Sequence, residues 1–207
     1  MSTQSLQFAD GDEAEEIARA ELYGLLARLW IAPPDTELHA QFAVAVTQAP
    51  QQGAFLEAPW QALVAAMREA TPQSAAEEYE ALFMGVGKPE VFLYASFYLS
   101  GFLHEKPLAQ LRTDLAELGL ARSEQSAETE DHIAALFEVM RYLIAGDDVA
   151  VCNLEQQRRF FRAHLQPWVE KLSDTLDAQP NARLYRALGA MTRAFVQVEA
   201  QGFDLLP

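Results

Sequence analysis

The sequence predicts an all-α protein, a single multi-helix bundle, and three observations carry that expectation. Half of the 207 residues are apolar while Gly and Pro number only 10 each, and the abundant Ala, Leu, Glu, Gln and Arg are strong helix formers. Apolar residues recur every three or four positions in successive segments, and no strand-like alternation is sustained between turn signals. A chain of this length can bury about 70% of its unfolded surface without metals or disulfides. One domain over residues 1–207 is therefore expected, with residues 1–11 disordered.

The elements follow in order. Asp12 to Ile31 forms a first helix with Ile17, Leu22, Leu25, Leu26 and Leu29 on one stripe, and Pro33-Pro34 ends it. Asp35 is placed to cap a second helix reaching about Thr47, and Trp60, Leu63, Val64 and Met67 mark a third. Pro72 separates that helix from one over Ser74 to Met84. Later helices run from Lys106 to Leu118, from Asp131 to Ala145, from Val151 to Ala178 with a break near Pro167, and from Asn181 to Gln201. In the helix from Asp131, positions 133, 136, 137, 140, 143 and 144 define one buried face. There is no internal repeat and no low-complexity linker.

The segment from Met84 to Leu103 breaks the theme. Gly85 and Gly87 permit unusual backbone angles, Pro89 forbids continuous helix, and the aromatic residues that follow are too dense for a solvated loop. This segment is expected to cross the core. Phe92, Tyr94, Phe97, Tyr98 and Phe102 are then packing residues in the first instance, but each Tyr hydroxyl needs a partner or an opening to water.

Charge and cysteine usage exclude several classes. The net charge is −15, and residues 1–150 carry the whole negative balance, with 8 basic against 24 acidic side chains. Nucleic acid is excluded as a partner, because affinity for phosphate backbones comes from clustered Lys and Arg; a basic peptide would be attracted. A soluble acidic surface without a partner is the simpler reading of the same charge. Cys152 stands alone, which excludes an internal disulfide framework or a multi-cysteine metal site on this chain. Residues 1–16 hold five acidic residues and no Lys or Arg, unlike a secretory signal. The longest apolar run, Val91 to Leu103, would span about 20 Å as a helix, short of a bilayer core. A cytoplasmic protein without stable membrane insertion is expected.

Catalytic signatures fail on inspection. Gly85-Val86-Gly87-Lys88 resembles a phosphate loop, yet Leu82 occupies the place of the first glycine and Pro89 that of the Ser or Thr. None of His39, His104, His132 or His164 has Glu three residues before it, as a helical di-iron centre requires. No metal or cofactor is expected. The remaining cluster is Glu128-Thr129-Glu130-Asp131-His132, at the mouth of the apolar helix where the chain emerges from the core. Adjacent Asp131 and His132 diverge on a helix and make a poor dyad. The cluster serves either as a cap, with Thr129 or Asp131 accepting free amide hydrogens, or as a cap that also recognises a ligand.

The motifs in their order resemble one family. Glu77-Glu78-Tyr79-Glu80-Ala81-Leu82-Phe83-Met84-Gly85-Val86-Gly87, Tyr94-Ala95-Ser96-Phe97-Tyr98, Glu128-x-x-Asp131-His132-Ile133, Phe137-Glu138-x-Met140-x-x-Leu143 and Gln157-x-x-Phe160-Phe161-x-x-His164-Leu165-x-x-Trp168 are similar to the TorD/DmsD/NarJ family of redox-enzyme maturation chaperones. The resemblance implies a TorD-like helical bundle and a non-catalytic, cytoplasmic chaperone. Its partner would be the apo-form of a molybdopterin oxidoreductase, bound through its twin-arginine signal peptide, its body, or both. The family's peptide-binding motif matches at Glu128, Asp131 and His132, while Thr129 stands in place of its proline and Phe92-Leu93-Tyr94-Ala95-Ser96-Phe97-Tyr98 replaces its tryptophan-bearing stretch.

A twin-arginine leader combines a basic stretch with an apolar helix, so its receptor needs an apolar groove edged by carboxylates. Met84, Tyr94, Tyr98 and Phe102 are the expected groove residues, with Glu128, Glu130 and Asp131 meeting arginines and His132 beside them. Two rivals stand next to this reading: a small helical hydrolase using His132 with a carboxylate, and an acidic scaffold that binds a folded partner. Long helices with few stiff connections leave both monomer and dimer open.

Overall fold

Residues 11–47, 55–85, 87–123 and 126–205 are described by a computed structural model. Among them run ten helices: α1 (Gly11–Ile31), α2 (Thr36–Ala43), α3 (Glu57–Glu69), α4 (Pro72–Phe83), α5 (Ala95–Ser100), α6 (Lys106–Glu117), α7 (Ile133–Ala145), α8 (Leu154–His164), α9 (Val169–Asp177) and α10 (Leu184–Leu205). The described residues contain no strand, so the fold is all-α as the sequence predicts. Of residues 1–11, for which the sequence predicts disorder, 1–10 lie outside the described ones and Gly11 begins α1.

Helix α7 is the central element. Ile133, Leu136, Phe137, Met140, Leu143 and Ile144 are all buried, matching the six expected positions. α7 packs along α1 and against α8, while α10 packs against α9 and α3. At the α9–α10 contact a Cβ on Gly189 would come within 2.9 Å of Leu176 Cδ1, so a larger residue there would push the leucine side chain aside. The core joins residues from every described helix, with Trp30, Trp168, Tyr23, Tyr185, Phe137, Phe161 and Phe195 fully enclosed.

In helix α1 the expected stripe holds at Leu26 and Leu29, with Leu22 and Leu25 half-buried against the core, and fails at Ile17. Ile17 is 52% exposed, and the buried face is Ala20, Tyr23, Leu26, Ala27, Leu29 and Trp30. The reason lies in α10: Tyr23 donates to the Glu199 carboxylate at 3.0 Å, and Trp30 Nε1 donates to Thr192 Oγ1 at 3.1 Å. Two polar-tipped aromatics thus face a second helix as well as the core.

Helix ends follow local chemistry where the cap is local. Asp35 accepts from the Leu38 amide at 2.7 Å and starts α2, which ends at Ala43, short of Thr47. Thr71 and Ser74 form a reciprocal capping box around Pro72, which is the first residue of α4. The helix expected over 151–178 breaks near Pro167 as the sequence predicts, into α8 and α9 with a turn over 165–168 between them. Helix α10 starts at Leu184, where the Glu78 carboxylate of α4 accepts the amides of Arg183, Leu184 and Tyr185.

Ahead of α5 burial alternates: Val91 and Leu93 are buried, while Phe92 and Tyr94 are half-buried. The crossing of the core expected for 84–103 is thereby narrowed to residues 91–96. Met84 (67%) and Phe102 (70%) stand exposed at either end.

Candidate functional site

The acidic cluster is built by joining two chain segments. Tyr94 and His132 form an isolated antiparallel bridge, in which the Ala95 amide donates to the Asp131 carbonyl and the Ile133 amide to the Leu93 carbonyl, both at 2.9 Å. This bridge ties the start of α5 to the start of α7. The Tyr94 ring meets the His132 ring edge-on at 5.2 Å between centroids, and the Tyr94 hydroxyl donates to the Glu128 carboxylate. Burial, with Glu128 adding to it, pushes the Tyr94 phenol pKa up, so the tyrosine stays the donor.

Asp131 and His132 correct the expectation of an open helix entrance. They are 1% and 2% exposed. The cap of α7 is His132 itself: the Ala134 amide donates to its Nδ1 at 3.2 Å, so α7 starts at Ile133 rather than Asp131. Asp131 instead serves a neighbour. Its Oδ2 accepts the Ser96 amide of α5 at 3.0 Å, and its Oδ1 accepts the Thr129 hydroxyl at 2.6 Å. The two side chains point to different helices and form no dyad. Desolvation lowers the His132 pKa to about 4, against the pull of Glu128 and Asp131 toward the charged form, and the imidazole is neutral near pH 7.

The outer members of the cluster face a groove. Glu128 and Glu130 line a cavity of about 330 Å³ together with Glu138 of α7 and Arg122. Its floor is apolar, from Leu115 at the end of α6, Leu120 and Ala121 in the following loop, and Ala135, Val139 and Tyr142 along α7. Arg112 of α6 holds Glu130 with two bonds of 3.1 and 3.0 Å. Partial burial works to raise the Glu130 pKa, but Arg112 prevails and holds it below the ordinary value. Arg122 donates to the carbonyls of Ser126 and Glu128 at 2.9 and 3.3 Å and so fixes the loop bearing the rim.

Of the expected site residues, the structure gathers Tyr94, Glu128, Asp131 and His132, with Glu130 on the adjoining rim. It sets the others apart. Tyr98 stacks on Trp168 with centroids 5.5 Å apart and donates to the Phe92 carbonyl at 2.9 Å. Met84 and Phe102 do not line the groove beside Glu128. The sequence reading misses the groove floor, yet it holds a signal for it: Ala135, Val139 and Tyr142 recur at helical spacing as a second apolar stripe beside the buried face of α7. Among the described residues, no group of three His, Cys, Asp or Glu could hold a metal, and no helix is long and apolar enough to cross a membrane.

Comparison with known proteins agrees with this architecture. Over 199 residues the chain is 27% identical to Chaperone protein TorD of Photobacterium profundum, covering 88% of this chain and 92% of that protein. Chaperone protein TorD of Aliivibrio fischeri is 24% identical over 200 residues, with 88% and 93% covered. Chaperone protein TorD of Vibrio cholerae is 26% identical over 132 residues, 60% of each chain. Residues 50–174, more than half of the sequence, match the nitrate reductase delta subunit family. The chain therefore belongs to that family, the TorD/DmsD/NarJ group of redox-enzyme maturation chaperones that its motifs resemble.

Proposed function

We propose that this redox-enzyme maturation chaperone works in the cytoplasm without catalysis, holding the twin-arginine leader of a molybdopterin oxidoreductase apoenzyme until the cofactor is in place. The single observation that carries the reading is the apolar groove between α6 and α7 with Glu128, Glu130 and Glu138 at its edges. A leader has matching parts: its apolar helix suits the floor of Leu115, Ala135, Val139 and Tyr142, and its arginines suit the carboxylates. Glu130 is already held by a guanidinium, that of Arg112, which supports the idea that this rim accepts arginine. Asp131 and His132 act in this reading by positioning the rim, since both are buried.

Calorimetry with a synthetic twin-arginine leader and the full chain tests it. Val139→Asp in the floor, and Glu128→Gln with Glu130→Gln at the rim, are each expected to weaken the leader about tenfold or more, the scale of one well-made charged or apolar contact. Leader affinity unchanged in both variants, with the fold intact by circular dichroism, rules the groove out.

A further inference from the structure

A second groove, about 630 Å³ in volume, lies where α1, α2, α3, α7 and α10 meet. Its chemistry is opposite in sign to the rim beside Glu128. Leu22, Leu25 and Trp60 supply apolar wall, while Arg28 and Arg141 face it with Glu21 as the one acidic lining residue described. On a chain of net charge −15, two guanidiniums in one apolar groove are a local reversal. Arg28 has no hydrogen-bond or ion-pair partner among the described residues. Arg141 is laid across α1 at Gly24, where a Cβ would come within 3.0 Å of its Cδ, and is paired with Glu138 at 3.0 Å. Both members of that pair are half exposed, so the pairing is weak and exchangeable.

The apolar surface also runs beyond the groove. Trp60 Nε1 donates to the Val46 carbonyl at 2.8 Å, which places Val46, 76% exposed, beside the wall, and Ile31 lies exposed one turn after Arg28. This is more surface than a compact ligand needs and fits the length of a helix laid along it.

We infer that this groove docks an amphipathic helix of a protein partner whose apolar face is edged by Asp or Glu. Its apolar side chains pack on Leu22, Leu25 and Trp60, and its carboxylates engage Arg28 and Arg141. Buried Trp and Arg side chains are the residue types that dominate such contacts. Along α7, Glu138 lines the groove that suits a basic leader and Arg141 the groove that suits an acidic helix, and the pair between them joins the two rims.

The test uses the full chain and a synthetic helical peptide of about 18 residues with a Leu face edged by Glu, against the same peptide with Lys for Glu. Fluorescence follows Trp60, with Trp60→Phe as the control for signal origin. The Glu peptide is expected to shift the Trp60 emission and to bind at least about tenfold more tightly than the Lys peptide, and Arg28→Glu and Arg141→Glu are each expected to remove about tenfold of that affinity. Equal binding of the two peptides, affinity unchanged within about twofold in Arg28→Glu, or tighter capture of phosphatidylglycerol vesicles than of the Glu peptide through the same arginines would each overturn the inference. A twin-arginine leader that still binds in that case leaves the first groove's role standing, so the two readings fail separately.

Discussion

Asp131 and His132 are neighbours in sequence with separate duties, and each duty sets a measurable outcome. His132 caps α7 through an unprotonated Nδ1, so protonation there would remove the acceptor as well as place a charge in a dry site. Its pKa in the folded protein is about 4, below the ordinary 6.5, chiefly from desolvation. The unfolded chain therefore takes up the proton first as pH falls, and stability is full above about 6.5 and declines between 6.5 and 4. The loss approaches about 3 kcal/mol at the acid end, and His164, whose pKa burial also lowers, acts in the same direction. Urea unfolding at pH values of about 7.5 and about 4.5, above that window and near its acid end, measures most of the loss, and His132→Gln, which keeps an acceptor without titrating, is expected to flatten the slope. Asp131 answers to a different test. Asp131→Ala leaves the buried Ser96 amide without its acceptor and is expected to cost about 1–3 kcal/mol, whereas Asp131→Asn keeps a carboxamide oxygen and most of the stability.

At the scale of elements, caps drawn from distant residues carry much of the organisation. The Glu78 carboxylate accepts three amides at the first turn of α10, at 2.8, 3.2 and 2.9 Å, and adds negative charge at the positive end of the helix dipole. Glu78→Ala is expected to cost about 1–2 kcal/mol and to speed amide exchange in residues 183–188 before any other part of α10, which hydrogen exchange followed by mass spectrometry resolves. Such caps are invisible to a reading along the chain, because Glu78 is more than a hundred residues from the helix it starts. Local caps are legible: Asp35 stands before α2 in the sequence and caps it in the fold. Periodicity locates the buried face of α7 residue by residue, since that helix is enclosed on one broad side. It misleads at α1, where packing against both α7 and α10 turns Tyr23 and Trp30 inward and leaves Ile17 outside. The candidate site divides in the same way. Its carboxylates form one short run and can be read directly, whereas its floor is assembled from α6, a loop and α7 and becomes visible only when those elements meet.

Across the whole molecule, one buried network joins helices far apart in sequence. Arg19 of α1 grips Glu199 of α10 through two bonds of 2.8 Å, Tyr23 adds a third at 3.0 Å, and Arg19 reaches Gln157 of α8 at 3.4 Å. Gln157 continues to the Leu143 carbonyl of α7 at 3.2 Å. Burial alone would depress the Arg19 pKa, but Glu199 reverses that and holds the guanidinium charged. Removing one partner strands the other charge out of water, so Glu199→Ala is expected to cost about 3–5 kcal/mol, read as a lower urea midpoint with an unchanged slope. Replacing both, as Arg19→Met with Glu199→Leu, is expected to recover most of that loss, because two apolar side chains avoid the desolvation that the ion pair must offset. A double variant as unstable as Glu199→Ala would instead assign the stability to Tyr23 and Gln157, whose hydrogen bonds the apolar pair cannot replace. Either outcome bears on the grooves, because α1 and α7, the helices this network locks together, supply Arg28 and Arg141 to one and Glu138 and Val139 to the other.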